Sequence, residues 1–136
     1  MKKFLLYLWQ LPQNLLGLIL IVILRPERLH IMQNGNRIYF ANRMAGGISL
    51  GKYSILGSYH YRKELSEALK RDTVRHEAIG HAKQSVYLGP LYLIVIGLPS
   101  VIWAWLYGPI VKPTKNGYSK FYTEKWADKL GGVVRT

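Results

Sequence analysis

Two stretches decide how this chain is read: Arg75-His76-Glu77-Ala78-Ile79-Gly80-His81 and Thr123-Glu124-Lys125-Trp126-Ala127-Asp128. The chain has nineteen Lys and Arg, seven acidic residues and four histidines, a net charge of +12. Glu77, Glu124 and Asp128, three of the seven acids, fall in these stretches, together with His76 and His81. Acids so scarce are not there for solubility, and His with carboxylate is the residue set of a metal or acid–base site. There are no cysteines. Thiolate sites and disulfides are therefore excluded, and a transition metal must be held by imidazole and carboxylate.

Together the two stretches resemble the gluzincin metallopeptidases, most closely the membrane-embedded branch that includes the CAAX prenyl proteases. Those enzymes pair HExxH on one helix with ExxxD, often ExxAD, on a later one, and Glu124–Asp128 reproduces ExxAD. The resemblance covers roughly residues 72–88 and 123–131. It implies a Zn2+ cofactor with His76, His81 and Glu124 as ligands, Glu77 as the catalytic base, and Asp128 behind a ligand histidine, fixing its ring and tautomer. Zinc would lower the pKa of its water to about 7.

The first motif has one residue more than the family pattern. His76 and His81 are five apart, so at about 100° per residue they diverge by about 140° on a regular helix. Two repairs exist. A π-bulge absorbs a single inserted residue and returns both rings to one face. Alternatively, Glu77 and His81, four apart, become the helix ligands and His76 stays outside. Failing both, the motif is an inactive relic.

The rest of the chain reads as membrane-associated. Lys2-Lys3 precede an uncharged run, residues 4–24, interrupted by Gln10, Pro12, Gln13 and Asn14; Arg25 and Arg28 follow, with no small-x-small cleavage site. Its length suits either a kinked span or an interfacial or re-entrant helix. A second uncharged run, VYLGPLYLIVIGLPSVIWAWLY at 86–107, is expected to break at Gly97-Leu98-Pro99-Ser100 into two arms too short to cross. It must turn back, because His81 and Glu124 can share a metal only on one side of the membrane. Ten Tyr and four Trp suit an interface. The positive charge, without a helix-turn-helix, RRM or zinc-finger pattern, favours anionic lipids as partners and not nucleic acid.

Between these runs, residues 29–56 read as strands, with a type I′ hairpin at Asn34-Gly35 and a turn at Gly46-Gly47. Glu64–Arg71 reads as a separate helical turn or two. Asp72 or Thr73 is expected to cap the motif helix, which runs to about Leu88 before Gly89-Pro90. Thr123 is expected to cap a last helix, Glu124–Leu130, ended by Gly131-Gly132. Gln84-Ser85 and Tyr118 with Tyr122 are candidates for substrate or oxyanion contact, although packing and interfacial anchoring explain them more simply. His30 and His60 read as solvated.

The expected fold is α+β: an N-terminal apolar helix (1–28), then a minimal gluzincin-like unit (29–136) with a small β-ribbon, the motif helix, an apolar hairpin at 86–107 and a C-terminal helix. The expected function is a membrane-associated zinc metallopeptidase acting on a peptide or protein substrate, its site on the cytoplasmic side. The alternative is a non-catalytic, basic membrane-binding protein that keeps the helix pair as a structural or vestigial metal site.

Overall fold

The computed structural model describes residues 1–44, 46–58, 66–107, 109–111 and 117–135. His60 and the start of the 64–71 stretch lie outside these. The fold is α+β. Two helices, α1 (Lys2–Trp9) and α2 (Leu11–Leu24), lead into four strands: β1 (Arg28–Ile31), β2 (Arg37–Ala41), β3 (Gly47–Leu50) and β4 (Tyr53–Gly57). Helix α3 (Glu67–Val74) continues through a π-helical turn (Arg75–His81) into α4 (Ala82–Leu88). A 3₁₀ turn (Gly89–Leu91) and a π-helical stretch (Leu93–Gly97) precede α5 (Leu98–Leu106), and α6 (Tyr122–Gly131) ends the fold.

The strands form one sheet, more than the expected ribbon, in the order β1-β2-β4-β3. β2 and β4 pair in parallel; the outer pairs are antiparallel. The β1–β2 hairpin is present, but its turn is not type I′. That type needs positive φ at both central residues, and among the described non-glycine residues only Arg25 has one. Instead Gly35, at φ +85°, closes a three-residue loop, with Met32 N–H donating to Asn36 O and Gly35 N–H to Met32 O. This matches a tight turn followed by one left-handed residue. His30 is exposed on β1, as expected.

The sheet packs on the motif helix through Ile38, Leu56 and Ala78, and a second cluster joins Leu50, Tyr92 and Ile96. That helix starts earlier than expected. Ser66 caps it, accepting from Leu69 N–H at 3.2 Å, while Asp72 and Thr73 lie inside α3, where the Thr73 hydroxyl bonds back to Leu69 O. Thr123 likewise does not cap α6; the N-cap is Phe121, with no side-chain cap bond. The helix does end at a glycine, Gly132, in the left-handed conformation (φ +70°).

The 86–107 run turns, but not where expected. Its axis bends by 119° between Leu91 and Leu93, after Gly89 at φ +51°, whereas Gly97–Ser100 lie in continuous helix. Pro99 makes no break there: it follows directly on the π-helical stretch Leu93–Gly97, whose widened turn takes in the proline within continuous helix. The N-terminal run bends by 80° between Trp9 and Leu11, giving two helices where one was expected. Among the described residues, no single helix is long and apolar enough to cross a membrane.

α6 lies directly against the π-helical turn. A Cβ on Gly80 would sit 2.2 Å from Ala127 O, and one on Gly131 would sit 2.5 Å from Arg75 O. Gly80→Ala should therefore force the helices apart and lower the unfolding free energy by about 1–3 kcal/mol or more. Denaturant melts of the variant and parent check this; an unchanged midpoint would mean the contact is softer than drawn.

Candidate metal centre

The π-helical turn solves the spacing problem. Its i→i+5 bonding stacks residues five apart, as His76 and His81 are. Their buried rings lie 4.8 Å apart, centroid to centroid, edge to face at 89°. A widened turn disturbs the helix's own carbonyl partners, and the sheet supplies new ones. Asn36 Nδ2 donates to Ala78 O at 3.1 Å, and the Ser49 hydroxyl lies 2.8 Å from Glu77 O. The bulge is thus braced from outside, which side-chain insertion into a helical ladder requires.

From α6, one oxygen of Glu124 meets both histidines. Oε2 lies 2.9 Å from His76 Nε2 and 3.6 Å from His81 Nε2. In a tetrahedral site with bonds of about 2.0–2.1 Å, neighbouring ligand atoms stand roughly 3.3 Å apart. The two distances straddle that value, so Glu124 stands within ligand reach of both rings. Glu77 stands beside them: ligand atoms of His76, Glu77 and His81 lie within 4.8 Å of one another. Its Oε2 is 2.9 Å from the Ser49 hydroxyl, and Gly47 leaves room for Oε1, which a Cβ there would meet at 2.7 Å.

The outer ring nitrogens are held as well. Asp128 Oδ1 lies 2.7 Å from His76 Nδ1, and Arg135 clamps Asp128 with bonds of 2.8 and 2.9 Å. His81 Nδ1 lies 2.7 Å from Gln84 Oε1. The Gln84 amide cannot flip without losing a bond, because its Nε2 donates to Thr123 O at 2.8 Å. His81 Nδ1 must therefore be the donor, leaving the Nε2 lone pair free for a metal. The Thr123 hydroxyl bonds Glu124 Oε1 at 3.1 Å and lies 2.8 Å from Ser100 Oγ.

All five residues singled out in the sequence, His76, Glu77, His81, Glu124 and Asp128, thus meet in one buried place. Four participants were not foreseen in these roles. Gln84 carried a signal, one helical turn after His81 on the same face. Ser49, Thr123 and Arg135 carried none, since tertiary contact alone brings them in. Tyr122 is committed elsewhere, donating to Val95 O at 2.6 Å. Tyr118 lines a cavity of about 780 Å³ over the site, whose walls are chiefly apolar, among them Leu16, Leu50, Leu93 and Val101. Burial first, then the charges of Glu124 and Glu77, raise its hydroxyl well above the ordinary value.

No known protein family, curated protein or solved structure matches this chain.

In the metal-free site, burial disfavours the His76 imidazolium, but hydrogen bonds to Asp128 and Glu124 outweigh it and raise the ring from 6.5 to about 10. Burial also opposes the Glu124 and Asp128 carboxylates; hydrogen bonds from His76 to both, with Arg135 on Asp128 and the His81 ring beside Glu124, hold both below their ordinary values of 4.5 and 3.8. The raised His76 stabilises the fold fully below about pH 6.5, and that contribution is lost as pH climbs through about 10. The lowered carboxylates stabilise it above 4.5 and 3.8, and lose that contribution as pH falls below. Chelator-treated protein should therefore melt highest near pH 5–6 and lower on both sides. His76→Ala should flatten the alkaline limb, and a melting temperature that rises from pH 7 to 10 contradicts the assignment. Gln84→Ala, which frees the His81 ring, should weaken metal affinity by roughly 10–100-fold at constant pH, measured by competition with a chelating dye.

Proposed function

We propose that this protein is a membrane-associated, zinc-dependent peptidase. The observation that carries the reading is the convergence of His76 Nε2 and His81 Nε2 on one oxygen of Glu124, with Glu77 alongside. Asp128 and Gln84 on the outer nitrogens support it, since such partners orient and strengthen metal-ligating histidines. The gluzincin resemblance supplies the reaction class. An all-nitrogen-and-oxygen set of two histidines and a glutamate suits zinc among the available ions.

His76, His81 and Glu124 hold the ion. Zinc, when bound, supplies Lewis acidity toward water and toward a peptide carbonyl. Glu77 is the general base. Its carboxylate is steadied by Ser49 and is adjacent to the ligand histidines, so it takes a proton from the attacking water and returns it to the departing amine. Asp128 keeps the His76 Nδ1 proton and Gln84 the His81 one, so each ring presents its Nε2 inward. The peptide occupies the cavity, whose apolar walls exclude water from the reacting bond. Lysines and arginines at the ends of both uncharged runs support a site at the cytoplasmic face of an anionic membrane.

Purified protein should carry one zinc per chain by elemental analysis, and His81→Ala should lose it. Glu77→Gln should keep the zinc but lose about 10²–10⁴-fold in cleavage of a fluorogenic peptide library. Full activity in Glu77→Gln rejects the base assignment. Protein that takes up no zinc rejects the enzyme.

A further inference from the structure

Helix α2 is built inside out. The residues it buries are Gln13, Asn14 and Gly17, while Leu15, Ile19, Val22 and Ile23 form an exposed stripe at helical spacing. Val22 is 74% exposed. A helix on a water-facing surface does the reverse. The second uncharged run also exposes an apolar stripe, Ile94, Leu98, Ile102 and Trp105, with Trp105 at 78%, while it buries Tyr92 and Ile96 against Leu50.

What these elements turn toward each other is small and polar. Ser85 Oγ donates to Gln10 Oε1 at 2.7 Å, and Gln13 Nε2 reaches Ser85 Oγ at 2.9 Å and Gly89 O at 2.8 Å. Gln10, Gln13 and Ser85 are essentially inaccessible. Trp9 fits against Gly89, where a Cβ would lie 2.1 Å from its ring, and its indole N–H donates to Val86 O. The bend of the first helix pair is thus keyed into the bend of the second. Small and polar residues inside, with apolar residues outside, is how helices pack when lipid surrounds them.

Length decides how deep they go. The longer arm of the second pair, Glu67–Leu91, is uncharged only over its last eight residues, after Lys83. The uncharged arms Leu11–Leu24 and Leu93–Leu106 have fourteen residues each, about 21 Å at 1.5 Å per residue. The hydrocarbon core is about 30 Å thick. Neither arm crosses it, and each pair turns sharply at its break, by 80° and 119°. No charged residue lies within 4–24 or 84–111, whereas Lys2, Lys3, Arg25, Arg28 and Lys83 stand at their margins. Such cations remain among anionic headgroups.

We infer that this surface is seated in the acyl layer of one leaflet of an anionic bilayer, both bent pairs entering side by side from the same face without crossing. The inference rests on the membrane half of the proposed function and is independent of its zinc half.

The chain has no cysteine, so each single-cysteine variant carries one thiol. Lys3→Cys, Gln33→Cys and Lys120→Cys place that thiol before the first pair, between the pairs and after the second, all at exposed positions. Each is produced in a bacterial inner membrane, checked for a parental melting temperature, and treated with a membrane-impermeant maleimide in spheroplasts before and after lysis. One-leaflet insertion predicts that all three behave alike: all react before lysis, or all only after. Opposite behaviour of Lys3→Cys and Gln33→Cys means that the first pair crosses; opposite behaviour of Gln33→Cys and Lys120→Cys means that the second does. Either overturns the inference while the protein remains membrane-bound. Recovery of all the protein outside the membrane fraction overturns it together with the membrane half of the proposed function, and zinc content then reads the other half separately.

Discussion

The five-residue spacing of His76 and His81 governs this structure. On an α-helix it would send the two rings about 140° apart, and no other part of the chain could repair that. The π-helical turn repairs it locally, at the cost of disturbed backbone bonding. The cost is met by Asn36 and Ser49, which occupy the carbonyls of Ala78 and Glu77. The sheet's place on this face of the helix is therefore tied to the site. It braces the turn and, through Ser49 and Gly47, seats the Glu77 carboxylate.

The same turn sets the distance of α6. Gly80 and Gly131 allow backbone-to-backbone approach, and a shorter side chain than Glu at position 124 would not hold one oxygen between two imidazoles. Buried charge is tolerable only when every partner is present. Here the partners form a closed chain: Arg135 to Asp128, Asp128 to His76, His76 to Glu124, Glu124 to His81 and to Thr123, and His81 to Gln84, whose amide returns to Thr123. In a chain with a net charge of +12, concentrating acids here leaves the outer surface strongly basic, which suits an anionic partner.

Much of the site was legible because its chemistry depends on residue type and spacing. His76, Glu77 and His81 stand within six residues, so they share a helix, and Glu124 and Asp128, four apart, share a helix and a face. The π-helical turn was foreseeable as one of two repairs, for helical angles are a matter of counting. The bend in the second uncharged run was foreseeable as a necessity but misplaced, because Pro99 looks like a breaker until its position directly after the π-helical stretch is known. The caps expected at Asp72, Thr73 and Thr123 failed for a related reason. A threonine or aspartate bonds whatever lies nearest, and Thr123 has Glu124 and Ser100 within reach.

Sequence alone determined which groups could do chemistry, that a transition metal would have imidazole and carboxylate for ligands, and where the two long uncharged runs lie. These follow from composition and from periodicities of a single helix. Tertiary structure decided the rest: a parallel β2–β4 pair, the glycine contacts that set the helix spacing, the Gln84 and Arg135 partners, and the locking of one bend into the other through Gln10, Gln13 and Ser85. Such features join residues more than 70 positions apart. Distances between elements are set by packing, and no local pattern of side chains encodes them.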